Sequence, residues 1–243
     1  MSRLGAVDLN CDVGEGFGHW PGGPDEELMR TSTSVNVACG FHAGDPSIMR
    51  RTCELAEIRG CAIGAQVGYP DLVGFGRRFI DMRAGELTDA VLYQLGALAA
   101  FARACGSRVR YVKPHGALYN AIVDHAAQAK AVVAAVQQYD AALPLLGLPG
   151  SVARQECDTA GVRYVPEGFA DRAYTPEGRL LARNLAGALI TDPTTAAEQA
   201  LALAKSGVES ICVHSDTPGA TKILDAVARA LTAGGYDLTP FVK

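Results

Sequence analysis

Seven times along this chain a short apolar run gives way to a longer, alanine-rich stretch with helical periodicity. The runs lie at residues 6–9, 35–38, 61–65, 109–112, 143–146, 162–165 and 210–213. Each has the length and flanking punctuation of a buried strand, although periodicity alone does not separate such a run from buried helix. The intervening stretches carry helix boundaries. Asp45-Pro46 offers an N-cap residue followed by proline at the first helical position, and Gly60 closes that helix. The longest helix is expected over 86–104, before Gly106, and another over 194–206, before Gly207. Ile223, Leu224, Val227, Ala228 and Leu231 form one apolar stripe on the last. Strands that alternate with helices pair in parallel, because each crossover returns to the same end of the sheet. Seven such strands without a dinucleotide fingerprint favour a closed α/β architecture, a seven-stranded (β/α) barrel, over a doubly wound sheet. Residues 168–189 break the rhythm and read as a hairpin or a long active-site loop.

A length of 243 residues suits one barrel, and no linker or repeat divides the chain, so residues 1–243 read as a single domain. The net charge of −4 gives no basic face and argues against nucleic acid as a partner. The seven cysteines include no C-x-x-C pair, so they read as reduced core residues rather than a disulfide framework or zinc ribbon. Met1-Ser2-Arg3 leads to Asp8 before any apolar run forms, which excludes a signal peptide, and no stretch is long enough to span a membrane. A cytoplasmic protein is expected.

Polar groups follow nearly every strand run: Asp8, Asn10 and Asp12; Cys39 to Asp45 with His42; Gln66; Lys113 and His115; Glu167 and Asp171; His214 and Asp216. In a β/α barrel the C-terminal strand ends meet at one mouth, so these side chains are expected around one cavity. Asp8, Asp12 and Glu15 crowd a glycine-rich turn, where carboxylates repel, raise one pKa or recruit a divalent cation. Turn capping is the plainer alternative for them. His42, with Asn36 on the run before it, stands just ahead of a helix N-terminus, which favours the neutral imidazole; Asp45 reads as the cap. Arg77 and Arg78 suit a carboxylate or phosphate, or form a solvated pair. Pro114 keeps Lys113 extended at a strand end beside His115. Glu167 and Arg172 add an acid and a guanidinium, and Asp216 either joins the mouth or caps the last helix. The motif-loop glycines, among them Gly14, Gly44, Gly76 and Gly116, are expected to bring backbone close to a small polar ligand. No G-x-S-x-G or H-E-x-x-H motif is present.

The blocks D-L-N-C-D-V-G-E-G-F-G, N-V-A-C-G-F-H-A-G-D-P, Y-P-D-L-V-G-F-G-R-R, V-K-P-H-G-A-L-Y-N, F-A-D-R-A-Y and C-V-H-S-D-T-P-G-A run in order from Asp8 to Ala220. Through them the chain resembles the LamB/YcsF family of 5-oxoprolinase A subunits. The resemblance implies a seven-stranded TIM-like barrel similar to polysaccharide deacetylases. It implies ATP-dependent opening of 5-oxoproline to L-glutamate, with Mg²⁺ on the nucleotide and subunits B and C as partners. On this reading Lys113 and an arginine hold a phosphate or the substrate carboxylate, Asp12 or His42 acts as base, and His115 protonates the leaving nitrogen. Asp8, Asn10, Glu15, Asn36, Gln66, Arg77, Arg78, Glu167, Arg172, His214 and Asp216 supply substrate or nucleotide contacts, the first-loop carboxylates among them taking the Mg²⁺. Two positions depart from the family pattern: Gln66 stands where histidine is usual, and Ser215 where glycine is common. A metal-dependent deacetylase-like amide hydrolase and a non-catalytic substrate-binding subunit remain alternatives. An intrinsic metal and a homo-oligomer are left open.

Overall fold

The computed structural model describes residues 4–243, so Met1 to Arg3, on which part of the N-terminal reading rests, lie outside the described residues. Strand β1 (Gly5–Val13) is followed by the single turn α1 (Asp25–Leu28), β2 (Ser34–Ala38), α2 (Pro46–Arg59) and β3 (Ala62–Val67). Next come α3 (Ala84–Ala104), β4 (Val109–Pro114), α4 (Gly116–Asp124), α5 (Ala126–Asp140), β5 (Leu145–Gly147) and α6 (Val152–Ala160). The chain ends with β6 (Tyr164–Phe169), α7 (Pro193–Lys205), β7 (Ser210–Val213), α8 (Ala220–Ala233) and β8 (Tyr236–Leu238). β1 to β7 pair in parallel in chain order, and β1 pairs with both β2 and β7, so the sheet closes into a seven-stranded barrel. Among the described residues no helix is long and apolar enough to cross a membrane, and all seven cysteines are unpaired.

The helix boundaries follow from the residues at their ends. Asp45 caps α2 by accepting from the Ser47 and Ile48 backbone N–H groups, and Gly60 ends it in the left-handed region at φ 70°. Ile223, Leu224, Val227 and Leu231 of α8 are buried, as their spacing requires; Ala228 lies at the edge of the stripe. Asp216 does not cap this helix. Its N-cap is Gly219, and the Asp216 carboxylate pairs with arginines instead.

Two features depart from the expected pattern. β8 is an eighth strand, pairing in parallel with Gly5 to Val7 below the closed part of the barrel. Beyond it, Phe241 and Val242 pack against Tyr111, Leu146 and Val165, and the Phe241 ring meets Tyr111 edge-on at 5.0 Å. The C-terminal tail therefore fills part of the barrel interior. Strands β1, β3, β4 and β6 also extend further than their apolar runs, to Val13, Val67, Pro114 and Phe169. Asp8, Asn10, Asp12, Gln66, Lys113 and Glu167 consequently lie within strands, not after them. They alternate with apolar residues that face the helices, so the polar set points into the barrel.

Candidate active site

A buried polar network occupies the barrel axis. Asn10 is its hub: its amide donates to Glu167 Oε1 at 2.9 Å and Ser210 Oγ at 2.7 Å. Its carbonyl oxygen accepts from Asn36 at 2.7 Å and Lys113 at 3.1 Å. Asn36 also donates to Asp12 Oδ1 at 2.9 Å and accepts from the Tyr111 hydroxyl at 2.7 Å. Lys113 Nζ lies 2.7 Å from Glu167 Oε1, 3.5 Å from Asp12 Oδ1 and 3.1 Å from Cys212 Sγ, 5.1 Å from the centre of the Phe169 ring. Burial works against the ammonium, yet the Asp12 and Glu167 charges outweigh it and hold Lys113 well above its ordinary range. Burial likewise opposes the Asp12 carboxylate, but Lys113, followed by His214, keeps its pKa below the usual value. The Cys212 thiol is pushed up by burial and stays neutral. Lys113 is thus charged beside ionised Asp12.

Asp12 and Lys113 line a cavity of about 560 Å³ together with Gln66, Arg77, His115, Arg172, Arg183 and His214. Asp171, fully buried two residues beyond the end of β6, accepts from the His214 backbone N–H at 3.1 Å, its ring Nδ1 at 3.0 Å and the Thr217 hydroxyl at 2.5 Å. That contact fixes the His214 ring and leaves Nε2 as its free edge. A second cavity of about 480 Å³ adjoins, lined by Glu15, His42, Ser215 and Asp216 among aromatic and proline residues from Phe17 to Pro24.

Four uncharged groups separate the cavities. The His42 and His115 rings stack with centroids 3.9 Å apart and planes 8° from parallel. His42 Nε2 donates to Gln66 Oε1 at 3.1 Å, and Gln66 Nε2 donates to Glu15 Oε1 at 3.0 Å. His115 Nε2 donates to the Phe75 carbonyl at 2.9 Å, which turns its Nδ1 toward Glu15 Oε1 at 3.4 Å. Burial, then the charges of Asp12 and Asp216, raise the Glu15 carboxyl to about 8. Burial lowers His115 to about 3 and, with the His115 neighbour, His42 well below its usual range. His42 is neutral, as the sequence suggested, but burial rather than the helix terminus is the main cause. At neutral pH the proton in this group resides on Glu15, not on His115.

The remaining predicted residues fall elsewhere. Asp8 lies below the cavity, where it accepts from Thr33 at 2.6 Å, Ser34 at 2.5 Å and Ser210; burial raises it to about 6. Arg78 faces away from both cavities and pairs with Asp71. Asn10, Asn36 and Glu167 are buried supports of Lys113 and Asp12 and do not line a cavity. Arg77 and Asp216 meet at 2.5 Å across the mouth. The expected closeness of glycines to a ligand takes a different form. A Cβ on Gly76 (φ 64°) would stand 2.7 Å from His42 Cβ, and one on Gly116 (φ 53°) 2.7 Å from the Gly76 carbonyl. These glycines let loops and imidazoles pack on one another. Arg183, which sequence reasoning did not single out, arrives from the irregular segment between β6 and α7, within the stretch 168–189 that the broken rhythm marked as a hairpin or active-site loop. Strict alternation in D-L-N-C-D-V would have placed Asp8, Asn10 and Asp12 inside a strand.

Among the described residues, two groupings carry metal-ligand side chains: Asp12, Cys212 and His214, and Glu15, His42 and His115. In the first, Lys113 already supplies the cation. In the second, two imidazoles and one carboxylate, with His42 Nδ1 left without a hydrogen-bond partner, make a nitrogen-rich donor set that does not suit Mg²⁺. The carboxylates expected to hold Mg²⁺ are engaged as well: Asp8 by hydroxyls, Asp12 by Lys113, and Glu15 by the Gln66 amide and the Ser215 hydroxyl.

The LamB/YcsF family pattern matches residues 7–243. The chain is 51% identical to the A subunit of 5-oxoprolinase from Mycobacterium avium (strain 104), covering 98% of its own length and 100% of that protein. The crystal structure of lactam utilization protein from Thermus thermophilus superposes with a TM-score of 0.92 at 40% identity, over 97% of this chain and 100% of that one. The polysaccharide deacetylase Bc1974 from Bacillus cereus shares the fold, with a TM-score of 0.51 at 13% identity over 99% and 93% of the two chains.

Proposed function

Because the chain belongs to the LamB/YcsF family, we propose that it opens the ring of 5-oxo-L-proline to L-glutamate as part of a cytoplasmic, ATP-dependent 5-oxoprolinase. Subunits B and C are its partners in this reading. The observation that carries it is the charged Lys113 beside ionised Asp12 at one cavity wall, next to a neutral Glu15–His115 pair. An amide needs three things to open: a base for water, a cation for the oxyanion and a proton for the leaving nitrogen.

The residues divide these roles. Asp12, held ionised by Lys113, accepts the proton of the attacking water. Lys113 stabilises the negative charge on the amide oxygen and on the phosphoryl group transferred to it. Glu15, beside His115 Nδ1, holds the proton that reaches the ring nitrogen. This replaces the expected role of His115 as the acid itself, because an imidazole lowered to about 3 carries no spare proton at neutral pH. His214, fixed by Asp171, presents Nε2 as a hydrogen-bonding group. A five-membered lactam resists hydrolysis, so in this reading ATP transfers its γ-phosphoryl group to the amide oxygen, releasing ADP and making the carbon a better electrophile. Water adds there, the C–N bond breaks as the nitrogen takes the proton, and a second water hydrolyses the resulting acyl phosphate to L-glutamate and inorganic phosphate. The engaged carboxylates of β1 do not fit a magnesium ion, and no step here runs through one on this chain.

Glutamate release from 5-oxoproline, with and without ATP, by this chain alone and after adding B and C, tests the reading. ATP-dependent release by the assembled complex that disappears with Lys113→Ala is expected. Full release without this chain, or with the variant, defeats it.

A further inference from the structure

Three guanidiniums, Arg77, Arg172 and Arg183, line the same cavity as Lys113. Their anions are unevenly shared. Lys113 is matched by Glu167 and Asp12. Arg172 is nearly buried and donates to the carbonyls of Ala188 at 3.3 Å and Leu181 at 2.7 Å, which are uncharged. Arg77 and Arg183 converge on one carboxylate, each taking a different oxygen of Asp216 at 2.5 Å. Arg77 is held flat by the Phe75 ring, 4.9 Å from its guanidinium carbon. A guanidinium has five N–H donors in a rigid fork, and Asp216 accepts from one nitrogen of each. The two forks are therefore oriented at the mouth with donors to spare.

We propose that Arg77 and Arg183 form a carboxylate clamp that selects lactams bearing a carboxylate on the ring over uncharged lactams, with Asp216 as the residue that positions both forks. This rests on the lactam reading above and assigns recognition of that substrate's ring carboxylate to two named side chains. The lactam carbonyl meets Lys113, with Asp12 beside it for the attacking water, while the carboxylate meets the arginines at the rim. Charge-assisted fork contacts are the strong, directional kind, so their loss weakens an anion much more than a neutral ligand. Arg183 reaches the clamp from the segment that joins β6 to α7, braced by bridges between Arg172 and Leu189 and between Tyr174 and Leu180. Substrate selection then depends on a segment outside the barrel strands.

An oxyanion at this place is either the ring carboxylate or a phosphate of the nucleotide, and one experiment separates them. Calorimetry on the assembled complex measures 5-oxoproline against 5-oxoprolinamide, its neutral counterpart, for the natural chain and for Arg183→Ala and Arg183→Lys. Steady-state kinetics measure KM for ATP in the same proteins. The natural complex is expected to prefer the carboxylate by about 10- to 100-fold, with Arg183→Ala removing most of that preference and Arg183→Lys keeping part of it. KM for ATP is expected to change little. An undiminished preference in Arg183→Ala, an equal loss of both ligands, or a rise in KM for ATP alone each overturns the clamp. Failure of the natural complex to bind 5-oxoproline at all defeats the parent reading instead.

Discussion

Lys113 Nζ and Glu167 Oε1 stand 2.7 Å apart with both side chains buried, and Asp12 lies on the other side of the same ammonium. One cation thus compensates two acids inside the barrel. Removing one partner of a buried ion pair leaves a charge with neither water nor counterion. Lys113→Met is expected to lower stability by about 3–5 kcal/mol in denaturant unfolding. Adding Glu167→Gln restores part of that loss, since one uncompensated charge is removed. A stability equal to that of the unaltered chain in Lys113→Met would show that the acids are not ionised together with the lysine.

Glu15 makes a stability prediction with a defined sign. Its carboxyl titrates near about 8 in the folded chain against the usual 4.5, because it is buried and faces Asp12 and Asp216. Below about 4.5 the folded and unfolded chains both hold this proton. Between there and about 8 only the folded chain keeps it, so rising pH favours unfolding; above about 8 the loss is complete. Glu15→Gln, which mimics the neutral acid, should gain stability relative to the natural chain across that window, by about 1 kcal/mol or more. Urea melts at several pH values measure the difference, and a flat difference contradicts a neutral Glu15.

Asp171 fixes His214 through three hydrogen bonds to the segment after β7. Asp171→Asn can donate to Nδ1 where the carboxylate accepted, which favours the wrong tautomer. The proposed activity is expected to fall about 10²–10⁴-fold in kcat, with a smaller change in KM. A KM effect without a kcat effect would make His214 a binding group only.

Asp45 caps α2 and also accepts from the Gly18 N–H at 2.9 Å, tying the first loop to the second. Asp45→Ala is expected to lower stability by about 0.5–2 kcal/mol in thermal or urea unfolding. The carboxylate faces solvent and lies outside both cavities, so the substrate affinity of the complex should stay nearly unchanged. A loss of affinity much larger than the loss of stability would assign Asp45 to the site.

Much of the fold was legible because its signals are local. Proline and glycine at the ends of α2, and the apolar stripe of α8, act over one or two turns of chain. β8 was not legible: its three residues are half-buried and lack an apolar run, and only pairing beside Gly5 to Val7 makes them a strand. The site divides in the same way. Asp12, Lys113 and His115 line the first cavity and His42 the second, whereas Arg78 is drawn outward by Asp71 and Asp8 is held below by hydroxyls.

The order of residues was enough to establish seven of the eight strands and the main helices between them, that the strands run parallel, and which polar residues accompany them. These follow from side-chain period, capping residues and the handedness of crossovers, all properties of neighbouring residues. Which of those groups carry charge was settled in three dimensions. Lys113 and Glu167 are 54 positions apart, yet their contact within the closed barrel keeps the ammonium charged against the pull of burial. Glu15 keeps its proton because water is excluded and Asp12 stands near. Solvation and long-range Coulomb forces take these values only once the barrel has closed, and they set the chemistry of its mouth.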